Sequence, residues 1–375
     1  MSADKFCNSE TISSSEKTMS DDVNFQTSHD MILMARRNMV QDAWDYVCGA
    51  AESETSLRRN RMSIDCLALR PRICRDVSEI DTTCIFQGNK LRIPVFLAPM
   101  GSIQNFSTNG ALDVDTAAEE FGTVNFISTV TQPSLEEIAA NSPHPKNFQI
   151  YVRGDDQWIK DLLKRVKGAG YSSITLTVDS AFYGNRERLN PTQLALRRVP
   201  SRDWQKKITW DTVKLIQDEI EGRPLSLKGI QTGEDAALAV EHGVDAVYVS
   251  NHGGRQLDHV LGNIDTLPEI VAAVDGKADV VIDGGFTRGT DVIKALALGA
   301  KAVGIGRLQA WALGAAGAPG LVKCLELLER EIQTTMGLIG VTSLDQLNSS
   351  YVTEAPWVRL PHEHSAFPHA GGQIL

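Results

Sequence analysis

The sequence predicts a (β/α)8 barrel, on three observations. Eight apolar runs of strand length recur along the 375-residue chain, each followed by a helical pattern. The runs are continuously apolar rather than alternating, which is how strands buried on both faces read. Each run also ends in a polar residue or a glycine, and a purely structural barrel has no need of this at every strand end. Eight βα units in succession imply a closed barrel rather than an open doubly wound sheet. The length exceeds a two-domain prior of roughly 300 residues, yet α/β barrels routinely run past about 250 as one unit.

In order, residues 1–27 are rich in Ser, Thr and Asp without periodicity and read as disordered. A first helix is expected from His29 to Val47, on the spacing of Ile32, Leu33, Val40, Trp44 and Val47. Thr82–Arg92 reads as a hairpin around Gly88-Asn89, placed to cover one end of the barrel. The strand runs are Val95–Ala98, Val124–Ile127, Phe148–Val152, Ile174–Val178, Leu225–Leu227, Ala246–Val249, Val280–Ile282 and Ala302–Ile305. Between them, Thr232-x-x-Asp235 forms an acidic capping box ahead of Ala236–Val240, with Gly243 at its stop, and Gly299 ends Asp291–Leu298. The stretch Ser180–Thr209, with Pro191 and Pro200, is too long for a plain connection and reads as a lid. An extra helix over Leu321–Met336 follows the eighth strand. One barrel domain is therefore expected over 28–352, with a flexible tail over 353–375.

Lys and Arg total 37 against 47 Asp and Glu, a net charge of −10, and no basic run tracks a phosphate backbone, so nucleic acid is not an expected partner. No apolar run reaches the roughly 18 residues that point to a membrane span. The six cysteines (Cys7, Cys48, Cys66, Cys74, Cys84 and Cys324) show no CxxC spacing and read as reduced thiols of a cytoplasmic protein. His362, His364 and His369 lie in a Pro/Gly-containing tail, and no metal site is assigned to them.

Chemistry gathers at the C-terminal ends of barrel strands. There the chain carries Pro99-Met100-Gly101, Ser128, Gln149 with Tyr151, Thr177 with Asp179, Lys228-Gly229, Asp283-Gly284-Gly285 and Gly306-Arg307. After the sixth run stands Ser250-Asn251-His252-Gly253-Gly254-Arg255-Gln256-Leu257-Asp258. It sets an imidazole and a guanidinium three residues apart, and its glycines let the backbone approach a ligand closely. A 2-hydroxy acid needs this pairing, a base for a proton and a fork for a carboxylate.

These motifs, with Trp44-Asp45-Tyr46, resemble those of the FMN-dependent L-2-hydroxy-acid oxidases and dehydrogenases, the glycolate oxidase and flavocytochrome b2 family, over roughly residues 29–350. The resemblance implies FMN across the barrel mouth, with an L-2-hydroxy acid as substrate and O2 or another electron acceptor as its second partner. His252 is then the base for the hydroxyl or the Cα proton, and Asp179 stabilises its imidazolium. Arg255 and Arg186 grip the carboxylate, while Tyr46 and Tyr151 donate to substrate oxygens, Tyr151 being counted with the catalytic group. Lys228 faces N1 and O2 of the flavin. Ser128, Gln149, Thr177 and the backbone of Pro99, Met100 and Gly101 meet the ring's polar edge, the Gly284-Gly285 turn and the backbone of Gly306 before Arg307 hold the phosphate, and Ser250, Asp283, Arg288 and Arg307 are counted with the cofactor-binding residues. A homo-oligomer is also implied, a homotetramer or an octamer.

Three positions depart from the family pattern. Val130 stands where glycolate oxidases carry a tryptophan, which widens the substrate pocket. Gly101 replaces the alanine usual beside flavin N5, which leaves oxidase, monooxygenase and dehydrogenase outcomes open. Thr287 replaces an arginine on the phosphate, with Arg288 one place later. A flavin-dependent isomerase lacks the His/Arg pair, and the intact set of Tyr46, Asp179, Lys228, His252 and Arg255 argues against an inactive scaffold.

Overall fold

Runs with apolar side chains on both faces bury fully only between a filled interior and an outer ring of helices, and they do so here. The computed structural model describes residues 19–189, 200–358 and 364–367. Three helices lead in: α1 (Ser28–Asn38), α2 (Gln41–Cys48) and α3 (Thr55–Asp65). Then come β1 (Leu67–Leu69) and the antiparallel hairpin β2 (Cys84–Phe86) and β3 (Asn89–Leu91).

The barrel follows, all parallel: β4 (Val95–Met100), β5 (Asn125–Ser128), β6 (Lys146–Ile150), β7 (Ser173–Thr177), β8 (Leu225–Ile230), β9 (Ala246–Val249), β10 (Asp279–Ile282) and β11 (Ala302–Ile305). They close in chain order, β11 pairing back to β4. The connecting helices are α4 (Ala111–Phe121), α5 (Leu135–Asn141), α6 (Asp156–Gly168), α7 (Trp210–Glu219), α8 (Gly233–Glu241), α9 (Asn263–Val274) and α10 (Gly289–Ala297). After them α11 (Arg307–Ile339) leads to β12 (Val352–Glu354), which pairs with β1. All eight expected strands are present, and Thr232 caps α8 by accepting from the Asp235 amide.

The hairpin closes the N-terminal end of the barrel. Phe86 and Leu91 are buried with Phe96, Phe126 and Tyr248, and Gln87 donates to Ser226 Oγ at 2.6 Å near the start of β8. That leaves the opposite, C-terminal end for a ligand.

Four features differ from the sequence expectation. The helix expected over His29–Val47 is broken at Met39–Val40, both extended; Val40 is 69% exposed, so continuing the helix there gains no burial, and the break turns Trp44 and Val47 inward. Residues 19–27 are packed rather than disordered, because Phe25 and Val23 bury apolar surface and Ser20 donates to Glu326 at 2.9 Å; residues 1–18 lie outside the described residues. The supposed tail begins inside β12, and His364 and Phe367 are buried, His364 stacked on Trp44 (5.5 Å) and Phe367 edge-on to Trp311 (6.1 Å). His362 and His369 lie outside the described residues, as does the lid segment 190–199. Finally, α11 is long and apolar enough to cross a membrane by length and composition alone, but 67% of its most apolar window is buried in the fold.

Candidate active site

The C-terminal ends of the strands open into one cavity of about 510 Å³. Its wall includes Tyr46, Tyr151, Arg186, Lys228, His252 and Arg255, brought together from α2 and from the ends of four different barrel units.

His252 sits where the chain leaves β9. Three successive residues take left-handed backbone, His252 (φ 59), Gly253 (φ 64) and Gly254 (φ 76). Positive φ costs a histidine about 1–3 kcal/mol, a conformation kept only where the surroundings enforce it. A Cβ on Gly254 would stand 2.5 Å from the Leu57 backbone nitrogen, so glycine is required there. The Asn251 side chain accepts from the Gly254 amide (3.2 Å) and exchanges a hydrogen-bond pair with Asn60, both at 2.9 Å.

The imidazole so placed has Nδ1 at 3.0 and 3.2 Å from the two oxygens of Asp179 and Nε2 at 3.2 Å from the Tyr151 hydroxyl. Burial pushes the His252 pKa below the ordinary imidazole value, against the pull of Asp179. Burial works to raise Asp179, yet His252 and Lys228 hold it below the usual carboxylate range. The pair is therefore an ionised carboxylate accepting from Nδ1–H, with the Nε2 lone pair turned toward Tyr151. Burial, reinforced by the Asp179 charge, raises the Tyr151 phenol, which stays protonated and donates. Gly229 (φ 119) makes this possible, since a Cβ there would stand 2.6 Å from the Asp179 Cβ.

Arg255 Nη1 donates to the carbonyls of Tyr46 and Gly49, both at 2.7 Å. Arg307 donates to Val47 and Gly49 on the same turn and to the Gly253 carbonyl, each at 3.0 Å. Two guanidiniums thus satisfy the orphan carbonyls at the C-terminus of α2, where the helix dipole favours cations. Tyr46 is held over this turn, its ring 4.9 Å from the Arg255 guanidinium carbon and its hydroxyl donating to the Gly101 carbonyl at 3.1 Å. Arg186 is buried on the lid, donating to Tyr183 Oη (2.7 Å) and to the Arg255 carbonyl (3.2 Å). Burial, with Arg255 beside it, pushes its pKa down to about 10. Two guanidiniums this close in a desolvated wall favour an anion between them.

The remaining expected residues divide. Lys228 Nζ donates to Ser250 Oγ at 2.7 Å and lies 3.3 Å from Asp283, and Ser250 in turn donates to Asp283 at 2.7 Å. Pro99, Met100, Gly101, Gly284, Gly285, Gly306 and Val130 line the cavity. A Cβ on Gly101 would meet Val130 Cγ2 at 2.7 Å, so these two positions share one space. Ser128, Gln149 and Thr177 stand off the lining in a buried chain, Ser128 donating to Gln149 (2.6 Å) and Gln149 to Thr177 (2.8 Å). Arg288 is also off the cavity: it pairs with Glu331 at 2.6 Å, because as N-cap residue of α10 its side chain runs back along α11. Four lining or supporting residues escaped the sequence reading: Arg61, which donates to the Gly285 carbonyl (2.9 Å) and pairs with Asp291 (2.7 Å), and Asn60, Arg153 and Gln205.

Residues 35–202 and 190–354 match the model of one protein family, described as FMN-dependent dehydrogenase. The chain belongs to the FMN-dependent dehydrogenase family. It is 39% identical over 349 residues to an L-lactate oxidase of Nostoc sp., covering 85% of this chain and 95% of that one. It is 37% identical over 336 residues to human 2-hydroxyacid oxidase 2, with 85% and 95% covered. A crystal structure of mandelate oxidase superposes with a TM-score of 0.81 at 36% identity, over 88% of this chain and 99% of the other. As a member of the family the protein is an FMN-dependent oxidoreductase of 2-hydroxy acids.

The cavity fits FMN. Gly284 (φ 95) and Gly285 (φ 88) bare their backbone on the β10 side, and a Cβ on Gly284 would stand 2.6 Å from Asn263 Nδ2. Gly306 and the N-terminus of α11 open beside them, a site made for a phosphate. Arg307 is directed at carbonyls and Arg288 at Glu331, so the backbone amides of this turn and of the α11 N-terminus would hold such a phosphate.

Proposed function

We propose that this chain oxidises an L-2-hydroxy acid larger than glycolate to the 2-oxo acid, with His252 as base. The observation that carries the reading is the orientation of one imidazole: Nδ1 on Asp179 at 3.0 Å, Nε2 toward Tyr151, beside Arg186 and Arg255. Oxidising the carbinol removes two electrons and two protons. FMN, when bound, is the acceptor for the electrons and one proton. His252 Nε2 takes the other, and Asp179 offsets the charge the imidazolium gains. Arg255 and Arg186 bind the carboxylate and fix which hydrogen faces away from the base. Tyr151 and Tyr46 donate to the substrate oxygens. Lys228, held by Ser250 and Asp283, places a cation on the cavity wall where reduction of a bound ring system builds negative charge.

Val130, small and set against Gly101, leaves room for a branched or aromatic substituent. Structural neighbours include a mutant of mandelate oxidase with (S)-mandelic acid. The electrons pass on to O2 or another acceptor, and we assign the protein to the cytoplasm as a homo-oligomer, a homotetramer by likeness to its family. Anaerobic addition of a graded series of L-2-hydroxy acids to the yellow holoprotein tests the reading. Bleaching is expected to be fastest with acids bulkier than glycolate, and glycolate as the best substrate would contradict it.

A further inference from the structure

Beside Arg255 stands Gln256, which also lines the cavity and takes no part in the proposed proton transfer. Its amide makes four hydrogen bonds, all to one short segment beyond β7. Nε2 donates to the carbonyls of Asp179 (3.2 Å) and Phe182 (2.8 Å). Oε1 accepts from the Gly184 amide (3.3 Å) and from Arg186 Nη2 (3.2 Å). Carbonyls only accept, and a backbone amide and a guanidinium only donate, so the partners fix which end of the Gln256 amide is which. No other side chain of this length offers two donors and two acceptors at its tip.

The contact is built into both backbones. A Cβ on Gly184 would stand 2.2 Å from the Arg255 carbonyl oxygen and 2.8 Å from that of Gln256, so only glycine lets the segment lie this close to the loop after β9. Arg186 Nε donates to the Arg255 carbonyl at 3.2 Å, and the Glu52 amide donates to the Asn185 carbonyl at 2.7 Å. Asp179 is a fixed point, its carboxylate held by His252 Nδ1 at 3.0 Å and by the Ser180 hydroxyl at 2.9 Å. Phe182, midway along the stretch, is 74% exposed, so polar contacts rather than apolar burial hold the chain there. Gln256 ties Arg186 back to the fixed point.

We propose that Gln256 is a positioning residue, whose amide sets Arg186 against Arg255 at the spacing that receives the substrate carboxylate. This rests on the oxidation reading given above and leaves the oxidised bond and the electron balance unchanged. A guanidinium grips a carboxylate only in a fixed geometry, and a hydrogen bond to a charged group is stronger than a neutral one, so the loss of Oε1 is felt first at Arg186. One short run, His252 to Gln256, then supplies the base, one carboxylate ligand and the alignment of the other.

The test follows anaerobic flavin reduction by stopped flow in the FMN-loaded protein, Gln256→Met and Gln256→Glu, with the acid of the graded series that bleaches the parent fastest. Gln256→Met keeps the length of the side chain and removes all four hydrogen bonds. It is expected to raise the acid concentration for half-maximal reduction about 10-fold to 100-fold, the scale of one hydrogen bond to a charged group, while the limiting rate stays within about threefold. Gln256→Glu can still accept from Gly184 and Arg186 but sets an anion beside the place of the substrate carboxylate, so it should weaken binding more than Gln256→Met does. A side chain that merely holds the fold would give the reverse order, since the carboxylate restores two of the four bonds. As a readout apart from turnover, the dissociation constant of the corresponding 2-oxo acid, followed by perturbation of the flavin absorbance, should rise in the same order. A half-maximal concentration within about threefold of the parent in Gln256→Met, or tighter binding of the oxo acid by Gln256→Glu than by Gln256→Met, overturns the positioning role alone. If Gln256→Met fails to retain FMN, Gln256→Asn, an amide one methylene too short to span the segment, takes its place with the same expected order. A parent bleached by no acid of the graded series overturns the oxidation reading and this inference with it.

Discussion

At His252 the backbone is held in a conformation that a histidine does not choose, and three contacts explain why it stays there. The amide donates to Ser250 Oγ at 3.1 Å, the ring is fixed by Asp179, and the loop beyond is closed by the Asn60–Asn251 pair. The imidazole is neutral because it is buried, and for the base proposed above this sets the pH dependence. A base with a lowered pKa is lost only when acid protonates it below that value. We therefore expect the kcat/KM for flavin reduction to rise with pH through an apparent pKa below 6.5 and then level off. An acid limb with its midpoint above about 7 in the free enzyme would mean that the charge of Asp179 outweighs burial. The His252, Arg255, Lys228 and Asp179 group was legible in the sequence because each residue sits at or just past a strand end, where polarity breaks an apolar run. Arg61 and Asn60 were not, since α3 precedes the barrel and nothing in its spacing shows which face meets the cavity. Arg288 misled for the opposite reason: one residue of sequence separates a side chain lining the cavity from one paired with Glu331.

Among the elements, the strands were the easiest to read and the lead-in and closing segments the hardest. A strand buried on both faces declares itself by composition, whereas α2 is eight residues long and is held mainly by what packs on it. Trp44 stacks on His364, His364 Nε2 lies 3.9 Å from Cys48 Sγ, and Trp311, which lines the cavity, contacts both His364 and Phe367. Short stretches of Ser, Pro and His gave no periodic signal of this docking, because single large side chains make it rather than a repeated face. Phe367 is 1% exposed. Phe367→Ala is accordingly expected to destabilise the protein by about 3–5 kcal/mol in denaturant titrations followed by tryptophan fluorescence. A loss under about 0.5 kcal/mol, the range of ordinary surface substitutions, would show that the segment is not part of the packed structure.

For the molecule as a whole, the hairpin at one end and the open cavity at the other divide the barrel into a face that holds the fold and a face free to hold chemistry. The chain as a whole carries a net charge of −10, while Arg186 and Arg255 stand together on the cavity wall, which favours an anionic ligand there. In the proposed reaction His252 removes the substrate proton without holding the cofactor. The most direct measurement is the anaerobic reduction rate of His252→Gln in stopped flow, with flavin content read from the absorbance of the same sample. The variant is expected to be yellow, with its full complement of FMN, and to be reduced roughly 100-fold to 10,000-fold more slowly, the range of a positioned base. Reduction within about threefold of the parent, or loss of the flavin along with the activity, would contradict it.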